Sequence, residues 1–477
     1  MKLPIPDELA ALLTRTPSLK QAYPAGGCVR DCLLGRTPKD FDIEVFGVRY
    51  EELVAGLETG GRTDLVGRSF GVVKLTTQTG ATYDFTLPRR DSKVAPGHKG
   101  FDITFDPSIT PRDAAARRDF TINSMLFDPR KDEVLDFHGG QDDLRHGILR
   151  HTSEAFVEDP LRVLRGMQFA GRFDLRLAPE TAELCRRIQG HYSELAVERV
   201  REEWFKWAEK STVPSAGLRA LEESGWLGHF PEVHALRGTR QDPEWHPEGD
   251  VFDHTGHCLD ALVNLPGWRQ ADSESRIVYS LAVLAHDFAK PAMTREELRE
   301  GRMRIVSPGH EAAGGPVAEA FLERINAPAA IRERVVPLVA NHMAHLQTHT
   351  ARSVRRLARR LVPETIQGLC LVMTADHFGR PPRPRVVPAG ITELLAKAEE
   401  LKLRDSAPKP VLLGRHLLEL GMTPGREFGV LLEAAFEAQI EGAFEDLPGA
   451  FAWLASQDEI ALPEDTRRAA IEKAGVN

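Results

Sequence analysis

The spacing of apolar residues changes near Pro160, and this change limits the folds open to the chain. Before it, segments such as FDIEVFGV, GVVKLTT and ATYDFTL alternate apolar and polar residues, as half-buried strands do. After it, PLRVLRGMQFAGRF and ERVREEWFKWAE repeat apolar residues every three or four positions, which is typical of helices. We therefore predict an α+β protein with a small mixed β-sheet in its first part and helices in the remainder.

Length and polar connectors predict four domains. The 477 residues are too many for a single core. HPEGDV is rich in turn-forming residues, and the prolines of GRPPRPRVVPAG could not be crossed by a helix. The predicted domains are an α/β head at 1–150, a helical neck at 151–245, a helical histidine-rich domain at 246–390 and a helical tail at 391–477.

Composition excludes several classes of protein. The net charge of −9 argues against a globally basic nucleic-acid binder, so any RNA contact must use local basic faces. Five scattered cysteines with no CxxC pair indicate neither a zinc ribbon nor a disulfide framework. No apolar run is long enough to span a membrane. We predict a cytoplasmic protein with no membrane partner and no obligate protein partner.

The most informative stretch is AGGCVRDCLLGRTPKDFDIEVFG. Gly26 and Gly27 precede a predicted helix, and such a turn lets a phosphate approach backbone N–H groups. Asp40 and Asp42 lie two apart on a predicted strand, so both carboxylates point to one face. In a two-metal site, such a pair holds ions that activate an attacking oxygen and stabilise a leaving pyrophosphate, and a solvated strand edge is the alternative interpretation. Asp84, on a later predicted strand, is a candidate third carboxylate.

Five motifs between about residues 20 and 210 resemble, in order, those of the class II tRNA nucleotidyltransferase and bacterial poly(A) polymerase family. They are GGCVRDCLLG with KDFDIEV, ARRDFTINSM, DFHGGQDDLRHGILR, EDPLRVLR and ERVREEW. The resemblance implies catalysis by Asp40 and Asp42 with Mg²⁺. It also implies nucleotide binding by Gly26, Gly27, Arg30, Arg118, Asp119, Asp159, Arg162 and Arg165. One departure is Gln168, where the family has an arginine that contacts the triphosphate.

EDPLRVLR also has a direct physical interpretation. Asp159 and Arg162 are three residues apart, which makes them neighbours if both lie on one helix. A carboxylate accepts hydrogen bonds and a guanidinium donates them, so the pair matches the amine and ring nitrogen of cytosine and adenine. Uracil and guanine would leave buried groups unpaired, at about 1–3 kcal/mol per group. An intrahelical salt bridge between the two residues is the alternative.

Histidines are dense between 246 and 380, and His286 and Asp287 are adjacent in an apolar predicted helix. A buried carboxylate needs a partner, and a metal ion is an effective one. Mixed histidine and aspartate ligands suit Mn²⁺, Co²⁺, Ni²⁺, Zn²⁺ or Mg²⁺.

The order H…HD…D resembles the HD metal-dependent phosphohydrolase superfamily, although the usual HD-x-G-K here reads HDFAK. The resemblance implies a core metal set of His254, His286, Asp287 and Asp376, a possible second metal on His310 and His342, and a phosphate contact from Lys290. His257, His345 and His349 are interpreted as residues of helix surfaces. Some tRNA nucleotidyltransferases carry such a domain, in which it resembles a phosphatase and 2′,3′-cyclic phosphodiesterase.

A further predicted helix, ARSVRRLARRL at 351–361, carries five arginines: Arg352, Arg355, Arg356, Arg359 and Arg360. Its basic face could follow an RNA phosphate backbone. Alternatively, the arginine stems could cover the core of a solvated helix. The tail resembles the C-terminal helical region with which the family clasps tRNA.

The leading hypothesis is a template-independent enzyme that adds C, C and A from CTP and ATP to the 3′ end of tRNA. Its HD domain would remove phosphate groups that block damaged 3′ ends. A rival enzyme adds only the two C residues, and the segment 88–105, where the family has a flexible switching loop, favours full addition. Poly(A) polymerase, an HD phosphohydrolase with a non-catalytic RNA-binding head, and an RNA chaperone are weaker alternatives.

Overall fold

The computed structural model describes residues 3–64, 71–93, 101–457 and 462–475. The chain forms two compact units, Met1–Pro231 and Glu232–Asn477. The predicted fold class is confirmed, because a small mixed sheet lies near the start and most later elements are helices. The finer division into four domains remains a prediction. Part of the predicted switching loop, 94–100, lies outside the described residues.

The first unit contains eleven of the described strands and nine of the described helices. The strands are β1 (Ala22–Pro24), β2 (Asp42–Val45), β3 (Gly61–Asp64), β4 (Val72–Thr77), β5 (Thr82–Thr86), β6 (Arg89–Lys93), β7 (Phe101–Phe105), β8 (Leu126–Asp128), β9 (Glu133–Leu135), β10 (Ile148–Leu149) and β11 (Arg176–Leu177). The helices are α1 (Asp7–Arg15), α2 (Gly27–Leu33), α3 (Tyr50–Leu57), α4 (Pro111–Ala116), α5 (Gly140–His146), α6 (Leu161–Phe173), α7 (Pro179–Arg187), α8 (Val197–Lys210) and α9 (Pro214–Glu223).

The largest sheet has the strand order β1-β2-β5-β4-β3, in which β2 and β5 are parallel and the other neighbours antiparallel. Alternation along β2 and β5 buries Ile43 and Phe85. They share a core with Leu9 of α1, Val29 of α2 and Leu53 of α3. The helices therefore cover one face of the sheet and leave the other for polar side chains.

Helix α6 packs against α8 and α9 to form the core of the predicted neck. Trp204 and Trp207 of α8 are fully buried, with ring centroids 5.4 Å apart in an edge-to-face arrangement. The indole N–H of Trp207 donates to the carbonyl of Pro214 at 3.1 Å, which satisfies its buried polar group. This packing gives α6 a fixed position beside the head.

The elements that follow are helical apart from one hairpin. The helices are α10 (Pro231–His234), α11 (Val251–Leu262), α12 (Pro266–Gln270), α13 (Ser273–Ala285), α14 (Lys290–Met293), α15 (His310–Arg324), α16 (Ala329–Ala340), α17 (Ala351–Arg360), α18 (Ile366–Phe378), α19 (Ala389–Glu400), α20 (Gly414–Glu419), α21 (Arg426–Glu441), α22 (Leu447–Ala455) and α23 (Glu464–Ala474). Helices α11, α13 and α18 pack together. Within the described residues, no helix is long and apolar enough to cross a membrane.

The prediction that the histidine-rich domain is wholly helical is wrong at one place. Strands β12 (Arg295–Arg299) and β13 (Arg302–Val306) form an antiparallel hairpin. Its two-residue turn places Glu300 at φ 50° and Gly301 at φ 75°. Two successive positive φ angles are the signature of a tight hairpin turn, and the Glu-Gly pair was the available signal.

Phe156 and Val157 are neighbours with opposite environments, which allows a matched stability test. Phe156 is fully buried and meets Phe120 edge to face at 5.5 Å, whereas Val157 is 38% exposed. We expect Phe156→Ala to lower the free energy of unfolding by about 3–5 kcal/mol, because it leaves a cavity. Val157→Ala should change it by no more than about 0.5 kcal/mol. Urea denaturation measures both, and similar losses would contradict the packing described.

Candidate functional site

Three carboxylates gather on the polar face of the head sheet. Asp42 is the first residue of β2 and Asp84 is its partner in the parallel register with β5. Asp40 lies two residues before β2 begins, so it is not on the strand as predicted. Both Asp40 and Asp42 are exposed, while Phe41 between them is buried. The sheet thus presents acidic side chains from two strands at one position.

The electrostatics of this cluster favour a cation. Desolvation, together with the negative charges of Asp84 and Asp40, raises the pKa of Asp42 against the opposing effect of Arg118. Oδ1 of Asp84 is buried and accepts no hydrogen bond from the described residues, and Nζ of Lys74 lies 3.8 Å from it. Carboxylate oxygens held this close are ligands that suit Mg²⁺.

The glycine turn lies directly beside these carboxylates. The backbone N–H of Ala25 donates to the carbonyl of Asp42 at 2.9 Å. Gly26 has φ 71°, and a Cβ there would overlap the guanidinium of Arg118, so only glycine fits. Arg118 in turn donates to Glu44 of β2 at 2.6 Å. Gly27 begins α2, which has seven residues.

A buried hydrogen-bond network joins the head to α6. Asp119 accepts from Arg165 Nε at 2.8 Å and from Asn123 Nδ2 at 3.1 Å. The oxygen of the Asn123 amide accepts from Arg30, which also pairs with Asp31 at 2.7 Å. Burial works to raise the pKa of Asp119, but the Arg165 guanidinium brings it below its ordinary value. Three residues predicted from the family motifs, Arg30, Asp119 and Arg165, are therefore joined through Asn123 in one hydrogen-bond network.

Asp159 and Arg162 do not lie on one helix face, which corrects the geometry expected from their spacing. Asp159 has extended backbone and precedes α6, and its carboxylate pairs with Arg199 of α8 at 2.9 Å. Arg162 donates to the carbonyls of Ala155 and Arg117, each at 2.7 Å. No ion pair between them is found in the described part of the chain. Both side chains are anchored on one side and keep hydrogen-bonding capacity on the other.

Gln168 of α6, one turn after Arg165, is almost fully buried. Its Nε2 has no hydrogen-bond partner among the described residues. A buried donor without a partner is costly, so the described residues leave this side chain unsatisfied. Asn123, Glu44 and Arg199 belong to this site as well and were missed, because they stand inside motifs read for other residues.

The predicted HD residues converge in the second unit. His254 lies on α11, His286 and Asp287 follow α13, and Asp376 lies on α18; all four are buried. His254 Nε2 is 3.1 Å from Asp376 Oδ1, and His286 Nε2 is 3.1 Å from Asp287 Oδ2.

The remaining two predicted histidines meet the other oxygen of Asp287. Nε2 of His310 lies 3.3 Å from Asp287 Oδ1, and Nε2 of His342 lies 3.9 Å from the same oxygen. The two Nε2 atoms are 3.2 Å apart. Asp287 with His310 and His342, and His254 with Cys258, His286 and Asp376, are groups whose ligand atoms could hold a metal ion.

The orientation of these histidine rings indicates a cation between them. Nδ1 of His286, His310 and His342 lies 2.7–2.8 Å from the carbonyl three residues earlier. A carbonyl only accepts hydrogen bonds, so Nδ1 carries the proton and Nε2 presents a lone pair to Asp287. Lone pairs that face a carboxylate repel it unless a positive charge lies between them. The donor set therefore fits a divalent metal, as such second-shell hydrogen bonds do in metal sites.

The pKa values of His342 and His286 shift in opposite directions. Burial lowers the pKa of His342 to about 3, with the neighbouring His286 adding to the effect, so His342 is neutral. Burial opposes it, but Asp287 raises the pKa of His286. Positive charge is thus drawn to the point where His286 and Asp287 meet.

Glu248 and Arg380 were missed by the sequence analysis. The Glu248 side chain is fully buried and lies 2.7 Å from Nδ1 of His254. It falls in HPEGDV, which was interpreted as a polar connector. Arg380 donates to Asp376 at 2.8 Å from the other predicted connector. The turn-rich composition correctly indicated connectors, but it did not indicate that their side chains contact the histidine cluster.

A cavity of about 710 Å³ opens onto the histidine cluster. Asp287, His310 and His342 line it together with Lys290. Nζ of Lys290 contacts Asp287 at 2.7 Å and Gln241 at 2.8 Å, which leaves one of its three donors for a ligand. The cavity thus joins ligand atoms for a metal to a donor for a phosphate oxygen.

The three histidines interpreted as surface residues differ. His257 is exposed on α11. His345 is partly buried and lines the cavity, so it is more than a surface residue, whereas His349 is partly buried and its surface interpretation stays a prediction.

The arginines of α17 are engaged by other side chains of the chain. Four of its five arginines form ion pairs with glutamates, and Arg360 donates to Asn341 at 3.3 Å.

Comparison with known proteins gives three concordant matches. Residues 22–150 match the family model described as the poly A polymerase head domain. The multifunctional CCA protein of Halorhodospira halophila is 37% identical over 369 residues, which are 76% of this chain and 80% of that protein. The multifunctional CCA protein of Chromobacterium violaceum is 36% identical over 367 residues, 76% of this chain and 81% of that protein.

Solved structures agree in fold. The CCA-adding enzyme of Bacillus stearothermophilus in complex with CTP has a TM-score of 0.62 at 20% identity, over 95% of this chain and 98% of that chain. The Thermotoga maritima CCA-adding enzyme complexed with tRNA has a TM-score of 0.57 at 19% identity, over 95% and 96%. From the sequence identity and its coverage, the chain belongs to the family of multifunctional CCA proteins, within the tRNA nucleotidyltransferase and poly(A) polymerase group.

Proposed function

We propose that the chain adds C, C and A, from CTP and ATP, to the 3′ end of tRNA without a nucleic-acid template. The observation that carries the proposal is the parallel register that sets Asp42 opposite Asp84, with Asp40 beside them and the glycine turn adjacent. Membership of a family whose named relatives are multifunctional CCA proteins supports the substrate.

In the proposed reaction, the 3′-hydroxyl oxygen of the RNA bonds to the α-phosphorus of the nucleotide. The bond from that phosphorus to the bridging oxygen breaks, pyrophosphate leaves, and the hydroxyl proton passes to solvent. Asp40 and Asp42 would hold Mg²⁺, which when bound neutralises charge on the attacking and leaving oxygens. The turn at Gly26 and Gly27, with Arg30 and Arg118, binds and orients the triphosphate.

Base selection is assigned to Asp159 and Arg162. Arg199 holds Asp159 and two backbone carbonyls hold Arg162, so neither side chain has to be ordered when a base arrives. A guanidinium that donates through both Nη atoms keeps further N–H groups, and a carboxylate has about four acceptor sites. The remaining donors and acceptors suit cytosine and adenine and oppose uracil and guanine. Asp119 and Arg165 contribute to binding of ribose and triphosphate.

The HD cluster is assigned to repair of 3′ ends blocked by phosphate. His254, His286, Asp287 and Asp376 would hold a divalent metal, Mn²⁺, Co²⁺, Ni²⁺, Zn²⁺ or Mg²⁺, with His310 and His342 available to a second ion. A metal held there supplies charge neutralisation for hydrolysis of a phosphomonoester or a 2′,3′-cyclic phosphate. Lys290 would bind a phosphate oxygen from the cavity wall. Hydrolysis would expose the hydroxyl that nucleotide addition needs.

We expect the two activities to separate by mutation. Asp42→Asn should reduce incorporation of labelled CTP into tRNA lacking CCA by about 1000-fold or more, since several kcal/mol of transition-state stabilisation are lost. It should leave hydrolysis of 2′,3′-cyclic AMP unchanged. Asp287→Ala should abolish that hydrolysis and leave incorporation of CTP unchanged. Asp142→Asn, at an exposed ion pair, is the control.

The assay also supplies ATP alone with tRNA that ends in CC, and incorporation there distinguishes full CCA addition from addition of C only. Loss of both activities from either the Asp42 or the Asp287 variant would contradict the division into two sites.

Asp159→Ala should relax base selection. Without the acceptor, cytosine and adenine lose a partner that uracil and guanine never had, so the preference for CTP over UTP in kcat/KM should fall about tenfold or more. Glu158→Ala, at the half-exposed neighbour, is the matched control and should retain the preference. An unchanged ratio in the Asp159 variant would remove this residue from base selection.

Metal binding by the HD cluster can be tested with two histidines of one helix. His254 of α11 is buried in the cluster and His257, one turn later, is exposed. We expect His254→Ala to weaken binding of Mn²⁺ or Co²⁺ at least about 100-fold in isothermal titration calorimetry, because removing even an outer-shell partner costs 10–100-fold. His257→Ala should bind as the parent protein does. Equal affinities would disprove the assigned ligand set.

A further inference from the structure

The arginine face of α17 is covered by an acidic strip at the end of the chain. Arg359 pairs with Glu433 and Glu437 of α21, and Arg352 and Arg356 share Glu441. Arg355 pairs with Glu445, just beyond α21, at 2.5 Å. The glutamates recur every four residues: Glu433, Glu437 and Glu441 lie at successive turns of α21, and Glu445 follows the end of the helix.

The two helices belong to different apolar cores. Leu431 and Ala435 of α21 lie in a cluster formed only by residues of the tail. Val354 and Leu357 of α17 are buried outside that cluster. The side-chain contacts described between α17 and α21 are therefore ion pairs, together with the Arg359 guanidinium over the ring of Phe436.

The ion pairs are of a kind that salt weakens. The paired side chains are mostly exposed: Arg352 is 55% exposed, Arg356 is 50% exposed and Glu445 is 78% exposed. Such pairs contribute up to about 1 kcal/mol each and are screened at physiological ionic strength. Anions that present many charges at once can replace the glutamates, because each arginine exchanges one anionic partner for another.

We propose that the arginine face of α17 is a binding surface for RNA phosphates, and that the acidic strip of Glu433, Glu437, Glu441 and Glu445 is a competitor built into the chain, displaced when RNA binds. The proposal rests on the proposed function for its RNA ligand. A row of carboxylates spaced along a helix imitates the row of phosphates along an RNA strand. Arginines pair with phosphate as they do with carboxylate, through charge-assisted hydrogen bonds. In a chain with a net charge of −9, the strip would prevent weak, unspecific RNA binding at this face.

The test compares affinity for tRNA lacking CCA in two variants of equal charge. One variant changes the acidic strip to glutamine: Glu433→Gln, Glu437→Gln, Glu441→Gln and Glu445→Gln. The control changes four exposed glutamates of the same unit, for which no ion pair with α17 is found among the described residues: Glu393→Gln, Glu400→Gln, Glu427→Gln and Glu472→Gln.

The strip variant should bind tRNA about tenfold more tightly than the control in fluorescence anisotropy at about 50 mM salt. Its log affinity should also fall more steeply with log salt, by about 0.9 for each arginine that reaches a phosphate. Adding Arg352→Gln and Arg356→Gln to the strip variant should remove most of both effects. If the four changes prevent folding, Glu441→Gln with Glu445→Gln frees three arginines and serves in their place.

Equal affinity and equal salt dependence in the strip variant and the control would overturn the proposal. So would tighter binding that persists after the arginines are removed. Incorporation of CTP by the parent protein is measured in parallel: its absence counts against the proposed function, whereas the comparison of affinities still decides whether α17 binds RNA.

Discussion

The parallel pairing of β2 with β5 forces like charges together, because its register sets Asp42 directly opposite Asp84. Apolar residues on the buried face of both strands fix that register, since a shift by one residue would expose Ile43 and Phe85. The core of the head therefore stabilises an arrangement that its polar face disfavours. Cations bound between the carboxylates would relieve the repulsion, which favours their binding at this position.

In the second unit, too, polar groups that repel each other are held close together, but here most of them are histidines. Here backbone carbonyls, each three residues before a histidine, set which ring nitrogen is protonated. The free nitrogens then converge on Asp287, with His254 oriented separately through Glu248. Carboxylates on a sheet suit hard cations, whereas imidazoles between helices accept softer ones. The two sites can thus bind different metals in one solution.

Much of the head followed from the sequence, because alternation of period two and paired aspartates are local signals. Asp159 and Arg162 departed from prediction because Pro160 ends the extended segment before the helix, so spacing of three did not mean one face. Glu248 acts through His254 six residues later and carries no periodic signal. The glutamate partners of α17 lie more than seventy residues away, and composition cannot show which charges a distant segment will meet. The order of the local elements could be predicted from the sequence, whereas the ion pairs between distant residues could not.

Asn123 ties together two guanidiniums that come from different parts of the chain. Its amide oxygen accepts from Arg30 of α2, and its amide nitrogen donates to Asp119, which holds Arg165 of α6. A planar amide supplies an acceptor and a donor side by side without carrying charge, and the amide of glutamine would stand one methylene further from the backbone. Shortening this one side chain would therefore release a guanidinium of α2 and the carboxylate that holds a guanidinium of α6 in a single step.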